Sequence, residues 1–368
     1  MMARNVPSGE HVGKIGIVRG GRLSEFFLYW PAIKAVRQQF PNAELVLFGD
    51  DWQKGFLQHY PDVVDRVEVL PFYVPFEMVR HEQPLKRFLT RIAKEDFDLI
   101  LQMQDDGVDT NPMVLAMGPK MSAGFGSLEA EPLDVSLPYI THQHETLRAF
   151  ELLEAIGIND YSLQPEFKLN RADHAGYSDY YKSDGRELII IHPGANDPRR
   201  RWPTENFAET ADYFINQGYR VIITANIIEY AIAEAVLYDM EEPAEALVGV
   251  LSLPAMLALQ SKARLLISND TGPLQAAQSV GTPCIGLYWG LNVLHSGPLY
   301  TQRHRALVDW QLSCPVCGDS TLLDRWPATL PAPGGCKHDA SLVQDIEPFE
   351  VIEAAEQLLL DTVTGTSV

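Results

Sequence analysis

Positive charge is scarce in this chain: 29 Lys and Arg stand against 49 Asp and Glu, for a formal net charge of -20. A phosphate backbone would be repelled over most of such a surface, which excludes a nucleic-acid partner. Any anionic ligand must instead meet locally placed Arg, Lys or backbone N–H groups. Long apolar runs are also missing. No stretch reaches the roughly 20 apolar residues of a membrane span, and MMARNVPSGEHVGKIGIV lacks the apolar core of a signal peptide. The expectation is a cytoplasmic protein with at most peripheral membrane contact. Cysteine is rare, with only Cys284, Cys314, Cys317 and Cys336, and in a reducing compartment these read as thiols or ligands rather than disulfides. Neither GxGxxG after the first strand nor GxxxxGK[ST] occurs, so dinucleotide binding and P-loop phosphoryl transfer lose their main support.

What is present is an alternation of short apolar runs with helical patterns. KIGIV, ELVLF, DRVEVL and DLILQ are separated by helix-like segments, one of them over about 24 to 40, which implies parallel strands joined by crossovers. The same rhythm restarts with ELIIIH, YRVIITA, RLLISND and CIGLYW. The fold class is therefore α/β, with two Rossmann-like parallel-sheet domains and a ligand cleft at the strand C-terminal ends. The boundaries expected are 12–165, 185–346 and a C-terminal helix over 347–362. The stretch 127–140 loses the pattern, and the helix that follows ends at Gly157.

Two loops favour anions. HPGANDPRRRWP (192–203) lies between a strand and a helix, where unpaired N–H groups and the helix dipole attract negative charge, and it carries Arg199, Arg200 and Arg201. SNDTGPLQAA (268–277) repeats that geometry, with Pro273 in the first helical turn. A nucleotide diphosphate needs donors from several such loops; the plainer alternative is a basic surface loop and an efficiently capped turn. Earlier, VRGGRLSEFFLYWPAI (18–33) places Arg19 and Arg22 around two glycines, then Glu25 in a first helical turn. There an acid complements the dipole; the two arginines either hold an acidic acceptor or are solvated. Phe26, Phe27, Tyr29 and Trp30 follow at a spacing that suits core packing better than a lipid-facing patch. LYWGLNVLHSGP reads as a long loop bearing Tyr288, Trp289, Asn292 and His295, where an aromatic either stacks on a ligand or is buried.

HPGA…RRWP, SNDTGP with GTP at 281–283, and PAIKAVRQQFPNAELVLF together resemble glycosyltransferase family nine, the ADP-heptose:lipopolysaccharide heptosyltransferases, over about Lys14 to Leu360. The resemblance implies a GT-B architecture, a donor held by the second domain, an acceptor held by the first, inversion at the anomeric carbon and no essential metal at the reacting centre. It places Glu25 at the position of the family's carboxylate base, where the family has Asp after Gly and this chain has Glu after Ser24. It places Arg200 where the family has a lysine facing the diphosphate. His192, Gly194, Arg201, Asp270, Thr271 and Gly272 fall in the donor motifs, and Glu229 matches an acid near the nucleoside. ADP-heptose as donor and a lipopolysaccharide-core or other envelope glycan as acceptor follow from the resemblance. Three alternatives stay open: a nucleotide-sugar-binding protein without catalysis, a transferase of another sugar or to a protein, and an enzyme that consumes donor without an acceptor.

CPVC at 314–317 and CKH at 336–338 set Cys314, Cys317, Cys336 and His338 in a C-x2-C-x18-C-x-H pattern. Three sulfurs and an imidazole suit a closed structural Zn site, or Fe; free or reversibly oxidised thiols are the competing reading.

Overall fold

The computed structural model describes residues 12–71, 82–319 and 337–364. The chain divides into two units, Met1–Leu163 and Gln164–Val368. In the first, strands β1 (Lys14–Val18), β2 (Glu44–Gly49), β3 (Arg66–Val69), β4 (Leu99–Gln102), β5 (Ser122–Gly126) and β6 (Val135–Pro138) form a parallel sheet in the order β3-β2-β1-β4-β5-β6. Helices α1 (Leu23–Gln39), α2 (Asp51–Leu57), α3 (Glu82–Ile92), α4 (Thr110–Ala116) and α5 (Glu145–Ala155) cover it. Strand side chains alternate between faces, so a sheet covered on both sides needs apolar residues throughout. Val18, Val46, Phe48 and Ile100 pack with Phe88, Ile92, Met113 and Val114. Phe26, Phe27, Tyr29 and Trp30 of α1 are all buried, and Phe26 meets Trp52 and Phe56 edge-on. This aromatic run is core.

The second unit repeats the plan. Strands β7 (Leu188–His192), β8 (Arg220–Ala225), β9 (Glu245–Val248), β10 (Leu265–Asn269), β11 (Cys284–Trp289) and β12 (His304–Asp309) run parallel in the order β12-β11-β10-β7-β8-β9. Its helices are α6 (Thr204–Asn216), α7 (Tyr230–Asp239), α8 (Leu253–Gln260), α9 (Gly272–Ser279), α10 (Gly290–Ser296) and α11 (Pro348–Thr364). Ile189 and Ile191 join Phe207, Val236 and Val351 on one face, while Leu188 and Ile190 join Leu259 and Leu274 on the other. Each such buried aliphatic side chain contributes about 1.5–3 kcal/mol, which is why β7 has no polar residue before His192.

The sequence pattern and the structure part at three sheet edges, at one loop and at the inner strand β5, whose SAGFG is buried but made mostly of small residues. Strands β6, β9 and β12, unmarked by any apolar run, each end a sheet in the observed order, and their residues are largely half-exposed. With one side open they need no continuous hydrophobic stretch. The segment after Trp289, expected as a long loop, is the short helix α10, with Asn292, His295 and Ser296 buried. Tyr288 and Trp289 are buried as well, Trp289 donating to the Gln311 carbonyl at 2.6 Å.

Candidate active site

In both sheets the strand order reverses beside the first strand of the unit: β1 has β2 on one side and β4 on the other, and β7 has β8 on one side and β10 on the other. Loops leaving the C-terminal ends of such neighbouring strands diverge, and ligands of open α/β sheets bind there. The sequence motifs lie at these two points, the RGGR turn after β1 and the HPGA and DTGP loops after β7 and β10.

In the first unit the turn is held by side chains from adjacent strand ends. Gly20 N–H donates to Gln104 Oε1 at 2.7 Å and Gly21 N–H to Asp50 Oδ2 at 2.6 Å. Gly21 has φ +121°, a conformation that a side chain would strain. Helix α1 begins at Leu23, so Glu25 is its third residue, and Glu25 Oε2 accepts the Arg22 N–H at 3.2 Å. Arg22 is exposed, whereas Arg19 is 3% exposed. Arg19 Nη1 donates to the Met103 and Gln104 carbonyls at 3.1 and 2.9 Å, its guanidinium lies 4.0 Å from the centre of the Tyr29 ring, and Nη2 is 3.5 Å from Glu25 Oε2. Burial opposes the Arg19 charge, but Tyr29, Glu25 and Glu145 outweigh it and hold Arg19 above its usual range. Burial raises the Asp50 carboxyl, against the Gly21 N–H that stabilises its ionised form, and Glu25 adds to the rise.

Sequence reading missed Asp50, Gln104 and Asp105. They follow β2 and β4, the strands beside β1, and only the strand order reveals that they share a sheet end with residue 19. Asp105 is pushed up by burial against hydrogen bonds from Thr110 and the Gly107 N–H.

In the second unit the three consecutive arginines separate by partner. Asp197 accepts from Arg199 at 3.0 Å through Nε and 2.7 Å through Nη2, and also from the Arg199 N–H. Arg201 Nε donates to the Ala195 carbonyl at 2.8 Å. Arg200 is the one directed at the DTGP loop, with Nη1 3.8 Å from Asp270 Oδ2 and 3.4 Å from the Asp270 carbonyl. Asp270 is buried and accepts from Asn292 Nδ2 at 2.9 Å and from Ser296 Oγ at 3.0–3.1 Å. Burial raises its carboxyl, opposed first by Arg200 and then by these donors. With its oxygens occupied, Asp270 fastens the loop to α10. Thr271 caps α9 with no side-chain cap bond; Thr271 Oγ1 and Arg200 Nε are both buried without a hydrogen-bond partner among the described residues. Gly272 is the first residue of α9.

Behind the HPGA loop, His192 Nδ1 lies 3.2 Å from Thr224 Oγ1 and Nε2 3.7 Å from Glu229 Oε2. Burial lowers the His192 imidazole, opposed by Glu229. Glu229 Oε2 accepts the Asn226 N–H at 3.0 Å, closing the 3-10 turn Ile227–Glu229 that leads into α7, and its carboxylate occupies the space where a side chain on Gly194 would go.

Cys314, Cys317 and His338 come together, their ligand atoms all within 4.8 Å of one another and Cys314 Sγ 3.7 Å from His338 Nδ1. A tetrahedral Zn²⁺ at Zn–S 2.3 Å and Zn–N 2.0–2.1 Å would set S and N about 3.6 Å apart, so this pair has the spacing of a ligand edge. Cys336 lies outside the described residues.

A family model for glycosyltransferase family 9 (heptosyltransferase) matches residues 85–320. The lipopolysaccharide core heptosyltransferase OpsX of Haemophilus influenzae is 24% identical over 275 residues, 72% of this chain and 76% of its own. Among solved structures, a glycosyl transferase family 9 protein from Veillonella parvula matches with a TM-score of 0.77 at 22% identity, covering 95% of this chain and 98% of its own. The ADP-heptose lipopolysaccharide heptosyltransferase II of Escherichia coli matches at 0.73 and 17%, covering 95% and 99%. The iron-containing dodecameric glycosyltransferase TibC of enterotoxigenic E. coli matches at 0.56 and 12%, covering 97% and 81%. These likenesses share the two-sheet α/β architecture of the GT-B type.

Proposed function

The chain belongs to glycosyltransferase family 9, and from that membership we propose that it moves a heptose from ADP-heptose, with inversion, to a lipopolysaccharide-core or related envelope glycan. Relatives named as lipopolysaccharide heptosyltransferases and a solved ADP-heptose enzyme support the donor and the acceptor class. The reading carries a cytoplasmic location with it, where nucleotide-activated sugars are available; no helix among the described residues is long and apolar enough to cross a membrane.

The observation that carries the donor assignment is the pair of unsatisfied polar atoms at the DTGP loop. A buried donor left unpaired costs about 1–3 kcal/mol, and Arg200 Nε and Thr271 Oγ1 stand where β10 meets the N-terminus of α9, a place suited to an anion. Arg200 meets the charge that builds on the departing diphosphate, with Thr271 and the Gly272 N–H as further donors. His192, Gly194 and Arg201 belong to the donor loop of the same site, and Glu229 is the acid on its nucleoside side. Arg22, exposed beside the glycine turn, is the cation open to an acidic acceptor.

Inversion is a single displacement. The acceptor hydroxyl oxygen forms a bond to the anomeric carbon as the bond to the ADP oxygen breaks, and the hydroxyl proton passes to Glu25. We assign Cys314, Cys317, Cys336 and His338 to a structural Zn or Fe site, remote in role from this step, with the Cys314–His338 spacing as support.

The test is incubation of wild type and Glu25→Gln with ADP-heptose and a truncated lipopolysaccharide acceptor, scoring ADP release and acceptor mass. Transfer by wild type and a loss of about 10²–10⁴-fold in kcat for the variant, the range for a general base, is expected. ADP-heptose binding without transfer by wild type would favour a binding protein, another sugar or a protein acceptor, and ADP release without acceptor would point to hydrolysis.

A further inference from the structure

We propose that Arg19 is the positioning residue of the transfer site, clamping one carboxylate oxygen of Glu25 so that the other is left free to take the acceptor proton. The inference rests on the assignment of Glu25 as the base. Both contacts to the Glu25 carboxylate fall on one oxygen: Arg19 Nη2 lies 3.5 Å from Oε2, and the Arg22 N–H reaches Oε2 at 3.2 Å. Glu25 Oε1 has no hydrogen-bond partner among the described residues, and the side chain as a whole is 31% exposed. A base needs one oxygen within hydrogen-bond reach of the proton it removes; a carboxylate held at one oxygen presents the second in a fixed direction, where a freely rotating one would not.

Arg19 is built to hold rather than to be reached. It is 3% exposed, and its Nη1 is spent on the Met103 and Gln104 carbonyls at the end of β4. Its plane rests on Tyr29, four residues beyond Glu25 and so on the same side of α1. The Tyr29 hydroxyl donates to Glu145 Oε2 at 2.8 Å, and Glu145 Oε1 accepts from Arg148, itself buried, at 2.7 Å. This chain of contacts ties α1 to α5 and fixes the guanidinium. Only a planar fork serves two carbonyls, a ring face and a carboxylate at once; a lysine ammonium does not.

The experiment compares steady-state kinetics of wild type, Arg19→Lys, Arg19→Met, Glu25→Gln and the double variants with ADP-heptose and a truncated lipopolysaccharide acceptor, together with a crystal structure of Arg19→Lys. Arg19→Lys retains a buried cation for the β4 carbonyls and covers the case in which Arg19→Met does not fold. The expected result is a kcat about 10–100-fold lower, with both KM values within about twofold of wild type, a displaced Glu25 carboxylate, and no further loss when either Arg19 change is added to Glu25→Gln. An undisplaced carboxylate, additive losses, or a raised acceptor KM at unchanged kcat would overturn the inference, the last by making Arg19 an acceptor contact. Full activity in Glu25→Gln would instead overturn the base assignment itself.

Discussion

Gly194→Ala probes the donor half through one contact. A Cβ at residue 194 would lie 2.2 Å from Glu229 Cδ and 2.4 Å from each carboxylate oxygen, whereas carbon atoms pack at about 3.5–4.0 Å. The carboxylate must therefore retreat by about 1.3 Å or more. It ends a flexible side chain, so the clash alone is cheap, but Glu229 is 5% exposed and is the acceptor for the Asn226 N–H. Displacement leaves that N–H without its partner, at about 1–3 kcal/mol. For a unit of about 200 residues, at about 2–4 °C per kcal/mol, the melting temperature falls by about 2–12 °C. The same movement takes the carboxylate away from His192 and deforms the HPGA loop, so ADP binding weakens by about tenfold or more. Circular dichroism melts and calorimetric ADP titration read both effects. The variant Gly194→Ala with Glu229→Ala removes the clash and should be more stable than the sum of the single changes by about 1 kcal/mol. A single variant melting within about 1 °C of wild type, or strict additivity in the cycle, would refute the reasoning.

Two further predictions follow from the same unit. Burial, with Arg303 and Arg305 adding to it, pushes the His304 imidazole down to about 4, against about 6.5 in an unfolded chain. Between those values the unfolded chain binds a proton that the folded one refuses, so stability falls as pH drops from 6.5 towards 4, by about 2–3 kcal/mol at pH 4.5. His192, also lowered by burial, acts in the same direction. Urea unfolding at pH 7 and pH 4.5 should show a smaller acid loss in His304→Leu than in wild type; equal losses would mean that His304 does not carry the effect. At the cysteine cluster, the purified chain should contain about one Zn or Fe per molecule, and Cys317→Ser or chelation should remove it and lower the melting temperature. Metal-free protein that melts like the loaded form would leave the cysteines as plain thiols.

Much of the fold was legible because its cause is local. Strands buried on both faces must be apolar throughout, so KIGIV, LIIIH and CIGLYW announce themselves, and Gly157 at φ +88° closes α5 as its position suggests. The half-exposed edge strands β6, β9 and β12 carry no such signal, and α10 hides in a stretch whose buried residues include Asn292, His295 and Ser296.

By itself the sequence determined the two α/β halves and the family motifs, and through the family resemblance it pointed to Glu25, the Arg199–Arg201 run and Thr271, since these motifs are short and contiguous in the chain. Which of the three arginines is directed at Asp270 was settled by tertiary structure, because Asp197 and the Ala195 carbonyl occupy Arg199 and Arg201. So was the burial of Arg19, which depends on carbonyls 84 and 85 residues away. The physical reason is the strand order: β1 lies between β2 and β4, so residues 19, 50 and 104 share one sheet end, and pairing between strands so distant in the chain leaves no periodicity in the sequence to read.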